Sequence, residues 1–141
     1  MNDIRSTIQL RVRYSETDQM GTFYNSRVLE WFECGRTELM RQIGLPYSEM
    51  ESRGAWLPLV EAHVEYLGRA RYDDLLELTT IASFAGPARL RCDARIIRLN
   101  PEAPVARGYT VHAFTRHDGR VIRPPAWFRE IFDRAARPNP G

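Results

Sequence analysis

Lysine is absent from this chain: all 20 basic residues among its 141 are arginine. A lysine Schiff base and the lysine of a phosphate-binding P-loop are therefore excluded. Glycine is sparse, nine residues with no two spaced as in G-x-G-x-x-G, which removes the dinucleotide-binding fingerprint. Cysteine is rarer still. Cys34 and Cys92 make no C-x-x-C pair and, with His63, His112 and His117, complete no zinc pattern, so we expect no metal, no cofactor and two reduced, inert thiols. No apolar run reaches the length of a signal peptide or a bilayer span, so the expectation is a cytoplasmic protein without membrane insertion. The excess of basic over acidic side chains is small, 20 against 18, and argues against nucleic acid as a partner.

What remains is a chain built to fold. Hydrophobic residues at 43% and charged residues at 27% suit one globular domain, and 141 residues leave no room for a separate cofactor domain. We expect a single domain over 1–136 and a flexible tail over 137–141, where the sequence reads Arg-Pro-Asn-Pro-Gly.

The periodicity supplies an order of elements. Ile8, Leu10, Val12 and Tyr14 alternate with polar residues as a strand does, and a loop follows over Ser15 to Tyr24. From Ser26 to Ile43 the spacing becomes helical, with Val28, Phe32, Gly35, Leu39 and Ile43 in one stripe and Leu29 and Met40 beside it. Asn25 or Ser26 suits the N-cap, and Gly44 with Pro46 suits the stop. Gly35 costs about 1 kcal/mol in helix propensity, a cost that makes sense if the helix lies very close to a sheet. A short connecting stretch runs through Arg53. Four strands follow, marked by Val60 to Tyr66, Leu76 to Phe84, Ala88 to Ile96 and Val105 to Ala113, the last with Val105, Tyr109, Val111 and Ala113 as its apolar face. A final helix begins near Pro125.

Strand, long helix, four strands and short helix describe an α+β fold: a five-stranded antiparallel sheet wrapped around one long helix. Its open edges and second face point to a homodimer or homotetramer.

Chemistry concentrates where the first strand hands over to the long helix. Free N–H groups at a helix start stabilise an anion, and Asp18 nearby is a carboxylate able to activate water or attack a carbonyl. An aspartate in a loop more commonly closes an Asx-turn. The three histidines read as surface residues, and Cys34 reads as core.

The segments Thr17-Asp18-Gln19-Met20-Gly21-Thr22-Phe23-Tyr24, Leu29-Glu30-Trp31-Phe32-Glu33 and Gly35-Arg36-Thr37-Glu38, with Tyr72-Asp73-Asp74 further on, resemble the 4-hydroxybenzoyl-CoA thioesterase branch of the hotdog-fold acyl-CoA thioesterases. Gly44-Leu45-Pro46 and His117-Asp118-Gly119-Arg120 extend the likeness over most of the chain. It implies the hotdog fold, an acyl-CoA substrate and hydrolysis without a cofactor. The family's catalytic carboxylate maps to Asp18, as nucleophile or general base, and its helix-start oxyanion donor maps to the backbone N–H of Asn25. Many relatives carry histidine there and tyrosine three residues on, where this chain has Asn25 and Val28. The same resemblance makes Tyr24, Glu33, Arg89, Arg120 and Arg123 substrate-binding candidates, the arginines for CoA phosphates. Glu33 is equally readable as a solvated residue or a partner of Arg36, and Tyr72, Asp73 and Asp74 as turn formers. A non-catalytic acyl-CoA binding or sensing protein on the same fold is the alternative.

Overall fold

The computed structural model describes residues 3–136. The tail expected over 137–141 lies outside the described residues. β1 (Asp3–Arg11) is followed by α1 (Arg27–Gln42), a short α2 (Tyr47–Ser52), then β2 (Leu59–Tyr66), β3 (Leu75–Ala85), β4 (Arg89–Arg98) and β5 (Ala103–Ala113), and the described chain closes on α3 (Ala126–Ala136). The sheet has five strands in the order β1-β3-β4-β5-β2, and every pairing is antiparallel. Hairpins join β3 to β4 and β4 to β5, whereas β2 returns from α2 to the far edge and pairs with β5.

α1 lies across the concave face of the sheet. Val28, Trp31, Phe32, Gly35, Leu39 and Met40 form its buried side, so Trp31 joins the expected stripe, while Leu29 stays 39% exposed. Gly35 sits where a Cβ would collide with Thr80 Oγ1 of β3, the close approach its helix-weakening residue type implied. Neither Asn25 nor Ser26 caps α1 with its side chain. Ser26 occupies the N-cap position and its hydroxyl makes no cap bond.

Other expectations are corrected by the packing. β1 ends at Arg11 and Tyr14 turns into a short 3-10 segment, Tyr14–Glu16. The stretch after Gly44 is no mere connection, because α2 buries Met50 in the core. One helix does not cover the sheet: α1 covers the end near Val12 and Ile96, and α3 fills the other with Phe128 and Phe132 packed on Phe84 and Phe114. Between Ala106 and His112 the inner face of β5 has the opposite parity to the one expected, although Val105 is in the core as expected and Val111 and Ala113 are buried as well. Cross-strand partners share a face, and Leu90↔His112, Cys92↔Thr110 and Ile96↔Ala106 put the even residues inward. Tyr109 therefore faces out, under the Arg91 guanidinium.

His112, expected at the surface, is buried. It bonds through Nε2 to Thr110 Oγ1 at 2.9 Å and through Nδ1 to the Leu57 carbonyl at 3.0 Å. Burial, followed by the charge of Arg36, pushes its pKa down to about 4. Cys34 is exposed rather than core, and partial burial with the nearby Glu33 charge holds its thiol above the ordinary range. Cys92 is buried and its thiol is pushed up to about 12 by desolvation.

The Gly35 contact has a measurable consequence. Gly35→Val adds an isopropyl group against β3 and should cost roughly 1–3 kcal/mol. Gly35→Ala should regain about 1 kcal/mol of helix propensity once Thr80→Ala has cleared the space. Thermal unfolding of both single variants and the double variant measures this coupling, and additive effects would contradict a direct contact.

Candidate active site

β1 leads into a loop held at both ends. Glu16 lies beneath it with 2% exposure, accepting the Arg13 backbone N–H at 2.7 Å and the Trp31 indole N–H at 2.8 Å. Burial raises the pKa of this carboxyl, yet the bonds from the Arg13 backbone, Trp31 and the Arg13 side chain together hold it below the ordinary value of 4.5. Its own backbone carbonyl takes the Tyr24 N–H at 2.9 Å. One buried carboxylate thus ties the loop to the first turns of α1.

Between these anchors the chain makes a tight turn. The Asp18 N–H donates to the Thr22 carbonyl at 2.8 Å and the Gly21 N–H to the Asp18 carbonyl at 3.0 Å, with Gly21 at φ +79°. That dihedral is left-handed and explains the glycine. The Asp18 side chain accepts the Met20 N–H on Oδ1 at 2.8 Å, an Asx-turn. Oδ2 receives no hydrogen bond from any described residue. The turn reading and the chemical reading are compatible, since each uses a different oxygen.

The helix start faces the same space. The N–H groups of Arg27 and Val28 are occupied by the carbonyls of Tyr24 and Asn25, whereas those of Asn25 and Ser26 find no acceptor among the described residues. A cavity of about 400 Å³ is lined by Asp18, Asn25, Phe23, Tyr66, Leu67 and Arg69, among others. Asp18 and Asn25, the latter with an unpaired amide at the positive end of a helix dipole, thus line one cavity.

Other candidates lie elsewhere. Tyr24 is exposed and does not line this cavity. Glu33, two turns along α1 and about 12 Å from Asn25 along the axis, borders a second cavity of about 550 Å³ with Tyr47, Trp56 and His117. It makes no ion pair with Arg36, whose guanidinium donates to Tyr47 Oη at 3.0 Å and Thr110 Oγ1 at 3.4 Å. Arg98 reaches the Arg69 carbonyl beside the Asp18 cavity, so Arg89 at the opposite end of β4 is about 30 Å away in the same protomer. Arg120 and Arg123 follow β5, whose last residue Ala113 pairs with Arg89. Tyr72 to Asp74 form a turn, Asp74 accepting the Arg71 N–H at 2.8 Å.

Comparison with known proteins now decides the family. The sequence profile of the thioesterase-like superfamily matches residues 12–132. The chain belongs to the thioesterase-like superfamily. Its architecture is the hotdog fold, and family membership places it among thioester hydrolases. The acyl-CoA thioesterase YbgC of Haemophilus influenzae is 29% identical over 99 residues, covering 70% of this chain and 73% of its own. YneP of Bacillus subtilis is 41% identical over 66 residues, about half of each chain. Among solved structures, a hypothetical protein from Aquifex aeolicus superposes with a TM-score of 0.83 at 26% identity, covering 90% of this chain and 98% of its own. The 1,4-dihydroxy-2-naphthoyl-CoA thioesterase of Synechocystis superposes with a TM-score of 0.85 at 20% identity, covering 95% and 99%. That second likeness speaks for the fold alone.

Three residues of this thioesterase-fold site were not legible beforehand. Tyr66 and Arg69 reach it only through tertiary contacts, and Glu16, in the same loop as Asp18, takes its role from burial under Trp31, which no local pattern marks. Glu16 is directly testable. Its lowered pKa means that its stabilising contribution is complete above the unfolded value near 4.5 and is lost as pH falls through the lower folded value. Glu16→Gln should therefore be less stable than wild type in urea at pH 7, and the gap should narrow at pH 3. An equal gap at both values would show that the charge contributes nothing.

Proposed function

We propose that the protein hydrolyses an acyl-CoA thioester to a carboxylic acid and free CoA, with Asp18 and the helix-start amide of Asn25 as the reacting pair. The observation that carries this reading is the shared cavity: Asp18, with one carboxylate oxygen free of hydrogen bonds from the described residues, and Asn25, with an unpaired backbone N–H, line the same space. The thioester carbonyl oxygen points at the donors, whose partial positive charge stabilises the oxyanion that forms on attack. Asp18 either removes a proton from the attacking water or attacks the carbonyl itself, giving an anhydride that water then opens. On either route the thiolate of CoA leaves, takes up a proton, and the acyl group departs as the acid. Relatives named as acyl-CoA thioesterases support CoA as the carrier.

The substrate needs more than one protomer. β2 is an edge strand with Leu59, Val60 and Tyr66 exposed, and its Leu59 end pairs with His112 while its Tyr66 end pairs with Ala106. Antiparallel pairing of two β2 edges about a two-fold axis carries the partner's Leu59 end toward this protomer's Asp18 cavity. Arg89, Arg120 and Arg123 belong to that end of the sheet, so in such a dimer they approach the neighbour's site, where guanidinium forks suit the CoA phosphates. Glu33 borders the second cavity along α1, which would take the acyl or pantetheine group, and Tyr24 lines neither cavity. We expect light scattering to give a dimer or tetramer of the active protein. A fully active monomer would remove this account of the arginines.

The mechanism itself is tested at Asp18. Asp18→Asn retains an oxygen to accept the Met20 N–H, so the turn and the fold persist. Turnover of acyl-CoA, read as free thiol, should fall by roughly 10²-fold to 10⁴-fold, the range for losing a general base. Asn25→Ala keeps the backbone N–H and should lose far less. Wild-type protein that binds acyl-CoA without releasing thiol would instead establish a binding protein.

A further inference from the structure

Tyr66, the last residue of β2, makes two contacts that no other residue of the sheet edge makes. Its hydroxyl donates to the Asn25 carbonyl at 2.8 Å. Its ring lies nearly parallel to Phe23, 6.5 Å between centroids and 24° between planes. Phe23 in turn meets Trp31 edge-on at 5.1 Å, and Trp31 is the indole that donates to buried Glu16. Tyr66 therefore joins the free edge of the sheet to the start of α1 through both its ring and its hydroxyl, and it lines the Asp18 cavity while doing so.

The hydroxyl bond matters for a geometric reason. The Asn25 carbonyl is one Cα away from the Asn25 N–H, the donor named above, so holding the oxygen restrains rotation of that residue's backbone within the cavity wall. No other described side chain caps this point. Ser26 gives α1 no side-chain cap, and the bond from the Val28 N–H to the same carbonyl is long, 3.3 Å. An untethered first turn frays and reorients, and oxyanion stabilisation depends on donors that need no reorganisation.

We propose that Tyr66 is a positioning residue for thioester hydrolysis, holding the Asn25 backbone so that its N–H stays turned to the cavity it shares with Asp18. The proposal rests on the Asp18 reading given above. Tyr66 acts through the backbone and not on the substrate, and its ring and hydroxyl have separable parts: the ring seats the residue on Phe23, and the hydroxyl holds the Asn25 backbone.

Tyr66→Phe in the full-length protein removes the hydroxyl and leaves the ring. The expected result is a roughly 5-fold to 20-fold fall in kcat, with KM within twofold of wild type and a melting temperature lowered by no more than a few degrees, the pattern of one lost bond that counts mainly in the transition state. The shape of the pH–rate profile should be unchanged. Tyr66→Leu, which also removes the ring, should lower kcat further and reduce stability. Unchanged kcat in Tyr66→Phe overturns the proposal, as does a rise in KM at constant kcat, which marks a binding contact. Loss of an alkaline limb from the pH profile overturns it too, by making Tyr66 a proton donor. Asp18→Asn, measured beside these variants, separates the two levels. If it stays active the hydrolytic reading fails as a whole, and if it is inactive while Tyr66→Phe equals wild type, only the role of Tyr66 fails.

Discussion

The seating of α1 on the concave face of the sheet is the constraint from which the site follows. Gly35 lets the helix come close enough that a single methyl group would meet Thr80, and the residues on either side of that contact then bury against β3 and β4. Helix position along the sheet is set there and transmitted to the helix start through a rigid rod about two turns long. Because interiors are close-packed, that start has little freedom to move once Val28, Trp31 and Phe32 are in place. Core packing thus places the helix start, and the bond from the Tyr66 hydroxyl to the Asn25 carbonyl restrains its first residue.

The loop is delivered differently. A buried carboxylate is costly unless its oxygens are satisfied, and Glu16 is satisfied by Arg13 on the β1 side and Trp31 on the α1 side. The same residue thus joins the strand that ends the loop's approach to the helix that begins after it. Asp18 devotes one oxygen to its own turn and leaves the other free of hydrogen bonds from the described residues, as the proposed role requires. Two carboxylates within three residues thus differ: Glu16 is spent on structure, whereas one oxygen of Asp18 is not.

The opposite end of the sheet has a different composition for a physical reason. There the inner face of β5 is polar, Thr110 and His112, and the half-buried guanidinium of Arg36 bonds to Thr110 and Tyr47 instead of to a carboxylate. His112 stays neutral in that setting, since both desolvation and the Arg36 charge oppose its protonation. A polar stripe inside a sheet reverses the apparent alternation, and so Tyr109 was expected on the inner face, while Val105 is in the core as expected. The aromatic cluster of α3 closes the remaining core over Phe84 and Phe114.

Local pattern determined much of this protein. The alternation of β2 to β4, the helical stripe of α1, the meaning of Gly35 and the Asx-turn at Asp18 are all properties of neighbouring residues, and neighbours are what a sequence displays. Asp18 and the helix start stood out as candidates for the same reason, being seven residues apart on one strand-to-helix passage and carrying a family likeness. Only the tertiary structure decided that β2 crosses to pair with β5, that Glu16 is buried under Trp31, that Tyr66 reaches Asn25 from a strand 41 positions later, and that Arg89, Arg120 and Arg123 lie far from Asp18 within one protomer. These depend on contacts between residues distant in the chain, whose pairing is chosen by the total burial of the fold and leaves no mark on the residues beside them.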